Sequence, residues 1–128
     1  MPLLVPVSWG ELIDKITILE IKADRIGDPA KLANIRRELA ALNQVRAAGG
    51  PLPPEAMVLT ADLRHVNEAL WQIEDEIREC ERSGDFGARF VELARSVYRT
   101  NDRRSALKRR LNEALQSELV EEKSYKPY

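Results

Sequence analysis

The sequence predicts an all-α protein, an elongated helical bundle in which a short N-terminal helix hairpin packs on a long antiparallel helix hairpin. The six glycines and seven prolines are clustered, and they leave long stretches free of both residues, as helices require. Within those stretches, apolar residues recur at steps of three and four. The 128 residues, 44% of them hydrophobic, suffice for one core, so we expect a single helical domain spanning residues 1–128.

Composition excludes several classes of protein. The net charge of -1 and the apolar content exclude a disordered tail, and they give no general attraction to nucleic acid or to an anionic membrane. Cys80 is the only cysteine, which excludes a disulfide framework and a cysteine-based zinc site. No apolar run approaches the roughly 18 residues of a membrane span, and the N-terminus lacks the basic region of a signal peptide. We therefore expect a cytoplasmic protein.

The first helix is predicted from Trp9 to about Ile26. Ser8 and Glu11 have the spacing of an N-terminal capping box, and Gly27 marks the end of the helix. One apolar stripe comprises Leu12, Ile16, Leu19, Ala23 and Ile26. Two further isoleucines lie on the opposite face, Ile18 and Ile21. A helix that is apolar on two faces packs between neighbours, so we expect this helix to be central.

The second helix is predicted to begin at Pro29, with Asp28 as its N-cap. It ends at the breaker cluster from Gly49 to Pro54, which is the one plausible linker in the chain. The predicted buried stripe consists of Leu32, Ile35, Leu39 and Leu42. The short turn between the first two helices predicts an antiparallel hairpin.

The third helix is predicted from Pro54 to about Arg82. Its apolar residues alternate steps of four and three, as in a heptad seam: Leu59, Leu63, Val66, Leu70, Ile73, Ile77 and Cys80. This helix would be about 43 Å long, whereas a compact domain of this size is about 36 Å across. A fourth helix from Phe86 to about Glu121 would be longer still, unless it breaks between Thr100 and Asp102, and a polar tail follows it.

Three polar residues interrupt the apolar seam of the last helix, namely Asn101, Arg104 and Lys108. Because an unpaired buried charge is very costly, these groups must be solvated, paired with carboxylates, or bound to an anion. The simplest interpretation is a kink between Thr100 and Asp102 that turns Arg104 and Lys108 into solvent. A buried salt-bridge network and a site for an anion or another ligand are the alternatives, and Asn112 is a further candidate residue for such a site.

The same segment carries a basic run between Arg99 and Arg110. Hairpin geometry predicts partial compensation by Asp62 and Glu68, and the remaining charge could meet the acidic tail, a second subunit or an acidic partner. The run lacks the interleaved aromatic residues typical of nucleic-acid binding. Trp71, which lies off the heptad seam, is expected either to pack against a third helix or to serve as a stacking platform for a ligand.

Three stretches of the chain resemble a family of small, uncharacterised bacterial proteins that are all helical. They are Ser8–Lys22 (SWGELIDKITILEIK), Leu70–Asp75 (LWQIED) and Val120–Tyr125 (VEEKSY). The resemblance implies a bacterial origin and a domain that stands alone, and it implies no activity. The first helix, with Asp14 and Arg25, is also similar to that of helical chorismate mutases, although the spacing between these two residues is short for that family.

These patterns lead to three functional hypotheses. The first is a non-enzymatic protein–protein interaction or assembly module that forms a homodimer, because we find no catalytic, cofactor or metal-binding constellation. The second is a protein that binds a small anion, nucleotide or sugar phosphate through Trp71, Asn101, Arg104, Lys108 and Asn112. The third is an enzyme of the chorismate-mutase type.

Overall fold

The computed structural model describes residues 1–128 and contains four helices and no strands. The helices are α1 (Trp9–Arg25), α2 (Pro29–Ala48), α3 (Pro54–Ser83) and α4 (Ala88–Ala114). The all-α prediction is confirmed, as is the packing of a short hairpin on a long antiparallel one. With 30 residues, α3 is about 45 Å long and gives the molecule its elongated shape. None of the helices combines the length and apolarity needed to cross a membrane.

The helix ends form as the sequence signals predict. The Ser8 side chain accepts a hydrogen bond from the Glu11 N–H at 3.1 Å, and the Asp28 side chain accepts one from the Lys31 N–H at 3.0 Å. Gly84 ends α3 in the left-handed conformation, with a φ of 71°, which favours glycine. Only half of the predicted capping box forms, however, because the Glu11 carboxylate binds Lys108 in α4 instead.

Helix α1 is central, as its two apolar faces predict. It packs against each of the other three helices, whereas α2 contacts α1 alone. The hydrophobic core lies where α1 meets the long hairpin, and its buried members are Ile13, Ala56, Leu59, Leu63 and Leu111. The hairpin of α3 and α4 therefore holds α1, and α2 covers the outside of α1.

Helix α2 is attached only loosely. Of its predicted stripe, Ile35 is buried and the three leucines are half-buried. The C-terminal end of α2 lies against α1. The Gly49 backbone is so close to the Trp9 ring that a Cβ atom added at Gly49 would lie only 2.4 Å from it. Gly49 thus permits a contact between the indole and the backbone that a larger residue would obstruct.

The predicted kink in the last helix is wrong. Helix α4 runs without interruption through Thr100, which is 3% exposed, since local cap preferences are weak compared with tertiary packing. The helix ends at Ala114 rather than near Glu121. Leu119, which the seam predicts to be buried, is consequently 43% exposed.

The long hairpin has two parts that differ in their packing. The base comprises residues 54–71 of α3 and 100–114 of α4, and the hydrogen bonds and ion pairs between the hairpin and α1 all lie in it. In the tip, residues 72–99, neither helix forms a hydrogen bond or ion pair with α1, Tyr128 of the tail packs on Tyr98, and Cys80 is the one buried residue. The other seam residues of the tip are half-buried, namely Ile73, Ile77, Phe90, Leu93 and Val97.

Candidate functional site

A buried carboxylate forms the centre of a polar network in the base. Asp14 of α1 is 1% exposed. Arg104 of α4 binds it through two bonds, with Nε donating to Oδ1 at 3.0 Å and Nη2 donating to Oδ2. Asn67 of α3 donates from Nδ2 to the same Oδ1 at 2.9 Å. One charge thus links three helices through bonds of the strong, charge-assisted kind.

Lys108 extends this network by one turn of α4. It is 8% exposed, and its Nζ donates to Glu11 Oε2 at 2.7 Å and to Glu121 Oε2 at 3.5 Å. Asp14 Oδ2 lies 3.9 Å from the same nitrogen. The polar break in the last helix is therefore a largely buried salt-bridge network, which was the second of the three interpretations from sequence.

The charge of Arg104 is held firmly by this arrangement. The hydrogen bond to Asp14 raises the pKa of the guanidinium above its usual value, although burial alone would lower it. Asn101 accepts a further bond from Arg104 Nη1 at 3.5 Å. The Arg104 side chain, 29% exposed, therefore stays protonated at any ordinary pH and cannot act as a proton donor or acceptor.

Helix α4 also caps the N-terminus of α1. The Gly10 N–H donates to Asn112 Oδ1 at 2.7 Å, and the Trp9 N–H donates to Ser117 Oγ at 3.1 Å. These groups have no partner within an isolated helix. The helices approach closely here, because a Cβ at Gly10 would lie 2.5 Å from the carbonyl oxygen of Lys108. Asn112 is thus a structural capping residue.

Asn67 is a member of the network that the sequence analysis missed. Its Nδ2 also donates to Thr17 Oγ1 at 2.9 Å, and its Oδ1 has no partner. Turning the amide over would place its oxygen against the Asp14 carboxylate, so the network determines its orientation. The available signal was its position, four residues after Leu63 and three before Leu70, which places a polar side chain directly beside the apolar seam.

The five predicted site residues divide between two places. Trp71, Asn101 and Arg104 line a cavity of about 530 Å³ between α1, α3 and α4. Lys108 and Asn112 line a separate space of about 170 Å³ beside Glu121. The larger cavity has the size of ordinary small-molecule sites, and Ile18, Ile21 and Leu70 supply apolar walls.

Trp71 lies at the boundary between base and tip. Its indole is half-buried, and the Arg25 guanidinium lies 5.8 Å from the ring centroid, within the range of a cation–π contact. Trp71 therefore packs against α1, as one of the two interpretations predicts, and it also forms part of the cavity wall.

The basic run is compensated in part by α1 and by the C-terminal tail, whereas Arg103 and Arg110 form no ion pair. Arg109 binds Glu122 at 3.1 Å, in addition to the pairs that Arg104 and Lys108 make. The expected compensation by Asp62 and Glu68 is wrong, since Glu68 binds Arg64 at 3.2 Å within its own helix and Asp62 forms no ion pair.

The tail continues along α4 to its last residue. The Tyr128 hydroxyl donates to Asp102 Oδ2, and the Tyr128 ring packs edge-to-face on Tyr98, with centroids 5.0 Å apart. The acidic tail therefore contacts the basic run, which is one of the three possibilities that the sequence left open.

The stretches that carry the family resemblance supply the three carboxylates of this network and the adjacent Gly10. Gly10, Glu11 and Asp14 belong to the opening stretch, and Glu121 belongs to the closing one. No curated protein and no solved structure matches the sequence. The model of a family of unknown function, DUF6165, matches residues 3–128, and the chain therefore belongs to that family.

Proposed function

We propose that the protein is a non-enzymatic assembly module that forms a homodimer through the tip. The observation that carries the proposal is the incomplete burial of the tip seam, in which only Cys80 is fully buried. An isolated pair of helices cannot cover such a seam, because each apolar stripe needs more than one neighbour for full burial. Two tips side by side form a four-helix arrangement that covers it.

The charges of the tip favour a second copy of this chain as the partner. Residues 72–83 of α3 carry five carboxylates and two guanidinium groups, whereas residues 88–99 of α4 carry three guanidinium groups and one carboxylate. Because the two helices have opposite net charge, α3 of one copy complements α4 of the other about a two-fold axis. Glu81 forms no ion pair within the chain and is available for such a contact.

Exposed apolar side chains mark the α4 edge of the tip. Phe86, Val91 and Tyr98 are 55%, 52% and 42% exposed. Val91 and Tyr98 lie two turns apart on one face of α4, whereas Phe86 precedes the helix, and exposed apolar residues of this size are typical of interaction surfaces. The dimer interface is therefore expected to include Val91, which the monomer leaves mostly uncovered.

Light scattering coupled to size-exclusion chromatography tests the proposal. The wild type is expected at twice the chain mass of 14.6 kDa. Val91→Glu should shift the protein to a monomer, because the substitution places a charge in the interface. Val45→Glu is the matched control, since Val45 on α2 is 56% exposed and lies far from the tip, and it should leave the dimer intact.

Two results would overturn the proposal. A wild type that stays monomeric at high concentration excludes the homodimer. A Val91→Glu variant that remains dimeric excludes the tip as its interface. Circular dichroism of both variants shows whether each keeps the helical content of the wild type, so that loss of the dimer is distinguished from loss of the fold.

A further inference from the structure

The cavity at the boundary between base and tip has the features of a small-molecule site that the assembly proposal does not use. We propose that it binds an apolar or aromatic α-amino acid in its zwitterionic form. Four hydrophobic side chains line it, namely Ile18, Ile21, Leu70 and Trp71. They provide an apolar surface for the ligand side chain, and the indole of Trp71 favours a flat ring.

Two unpaired charges of opposite sign line the same cavity. Lys22 of α1 and Asp75 of α3 are both lining residues, and neither forms an ion pair within the chain. A zwitterion complements both, with its carboxylate on the ammonium group of Lys22 and its ammonium group on the carboxylate of Asp75. A simple anion leaves Asp75 unmatched and is repelled by it.

Asn67 supplies a third, independent observation. The residue lines the cavity and is 5% exposed, and its Oδ1 has no hydrogen-bond donor. The two partners of its Nδ2, Asp14 and Thr17, do not line the cavity. The Asn67 side chain borders the cavity, and the ammonium group of a bound amino acid would supply the donor that this oxygen lacks. A buried acceptor without a donor is costly, so binding removes an existing penalty.

The remaining cations of the cavity do not favour a phosphate ligand. Arg104 is occupied by Asp14, and Arg78 is paired with Glu74 one turn away. Phosphate recognition relies on free guanidinium or ammonium groups, or on helix N-termini, and Lys22 is the one cation here without a carboxylate partner. The cavity thus presents one unpaired cation, Lys22, and one unpaired anion, Asp75, rather than a basic surface.

Isothermal titration calorimetry with four probes separates the possible ligand classes. L-Phenylalanine should bind. Phenethylamine, which lacks the carboxylate, and 3-phenylpropionate, which lacks the ammonium group, should each bind at least about tenfold more weakly, because each leaves one charge of the site unmatched. Adenosine monophosphate represents the anionic alternative and should not bind.

Variants at the two charges locate the site. Lys22→Gln and Asp75→Asn should each weaken phenylalanine binding by about tenfold. Lys31→Gln on α2 and Asp62→Asn on α3 are the matched controls, since both residues are exposed, unpaired and outside the cavity, and they should bind as the wild type does. The Val91→Glu variant should also retain binding, so that failure of the dimer and failure of the ligand site are told apart.

Several outcomes would overturn the proposal. Absence of heat with millimolar phenylalanine excludes an amino-acid ligand. Equal binding of phenethylamine or 3-phenylpropionate excludes recognition of a zwitterion. Tighter binding of adenosine monophosphate would favour an anion site instead, and undiminished binding by both Lys22→Gln and Asp75→Asn would place the ligand elsewhere on the protein.

Discussion

The base and the tip each contain an ion pair between an arginine of α4 and a carboxylate of another helix, yet the two pairs differ in kind. Arg104 binds Asp14, whose side chain is 1% exposed, whereas Arg89 binds Glu76 at 3.3 Å with 34% of the glutamate side chain exposed. A buried carboxylate that loses its partner leaves a charge without solvation, while an exposed one returns to water. The contribution of such an ion pair to stability therefore depends on the burial of its charges and not on pairing alone.

The base and the tip also differ in how far apart along the chain their ion-paired residues lie. Most ion pairs of the tip join residues three or four positions apart in one helix, such as Arg82 with Glu79 and Arg95 with Glu92. In the base, Arg104 and Lys108 join α4 to α1 across 90 or more residues of chain, and Arg64 joins α3 to Glu20 and Asp24 of α1 across 44 and 40 residues. The ion pairs of the base therefore hold separate helices together, whereas most of those of the tip only join neighbouring turns of one helix.

The largest expected effect is at the centre of the base. Asp14→Asn should lower the free energy of unfolding by about 3 kcal/mol, because it removes the charge that compensates Arg104 and leaves that cation largely out of water. The partial exposure of Arg104 places the estimate at the low end for a buried pair. Urea unfolding followed by circular dichroism measures the change.

The matched control lies in the tip. Glu76→Gln removes the carboxylate of the corresponding pair with Arg89, and the free energy of unfolding should change by less than about 0.5 kcal/mol. Equal losses for the two variants would contradict the comparison, since they would mean that exposure of the carboxylate has no influence on its contribution.

The second effect concerns the close approach of α1 and α4. Gly10→Ala should destabilise the protein by about 2 kcal/mol, because the added methyl group meets the carbonyl oxygen of Lys108. At Gly27 the same substitution meets nothing within 4 Å and should be neutral or slightly stabilising. Thermal unfolding of both variants gives the difference, and a stable Gly10→Ala protein would show that the two helices can separate without cost.

The smallest effect on stability is expected at the C-terminal tail. Its contact between Tyr128 and Asp102 joins residues that are distant in sequence, but both side chains are exposed. The hydrogen bond to Asp102 raises the pKa of Tyr128 above its ordinary value of about 10. The contact is therefore fully present below that ordinary value and is lost as the pH rises through the raised one. Tail amide signals in nuclear magnetic resonance spectra should shift in this alkaline range.

The Tyr128→Phe variant isolates this contact. It should lack the alkaline transition of the tail and unfold at the same urea concentration as the wild type, since the hydroxyl is exposed. A large loss of stability in Tyr128→Phe would contradict this expectation, because it would show that a contact between residues distant in sequence stabilises the fold even when it is exposed.

Much of the fold could be predicted because it depends on local chemistry. Ser8 and Asp28 start helices by accepting bonds from N–H groups three residues later, and Gly84 ends one by adopting a positive φ. Such signals act within a single turn, so they are readable without knowledge of the neighbours. The end of α4 carried no comparable signal, and its predicted boundary near Glu121 was seven residues too long.

The candidate site was predicted in part, for a similar reason. Arg104 and Lys108 stood out because cations on an apolar stripe require an explanation, and Trp71 and Asn101 do lie with Arg104 on one cavity. Their partners were not recognised as such, since Glu11 was assigned to the capping box of α1 and Asp14 was noted only for the similarity to chorismate mutases. The kink was preferred because the sequence did not reveal these carboxylates.

By itself, the sequence determined the number of helices, the starts of all but the last, the order of the hairpins and the central position of α1. Breakers, caps and apolar periodicity are properties of neighbouring residues, and they act before any long-range contact forms. Only the tertiary structure decided that α4 stays straight and that Arg104 and Lys108 are neutralised rather than solvated. Those outcomes depend on a carboxylate about 90 residues away that becomes a neighbour on folding, where desolvation makes its charge decisive.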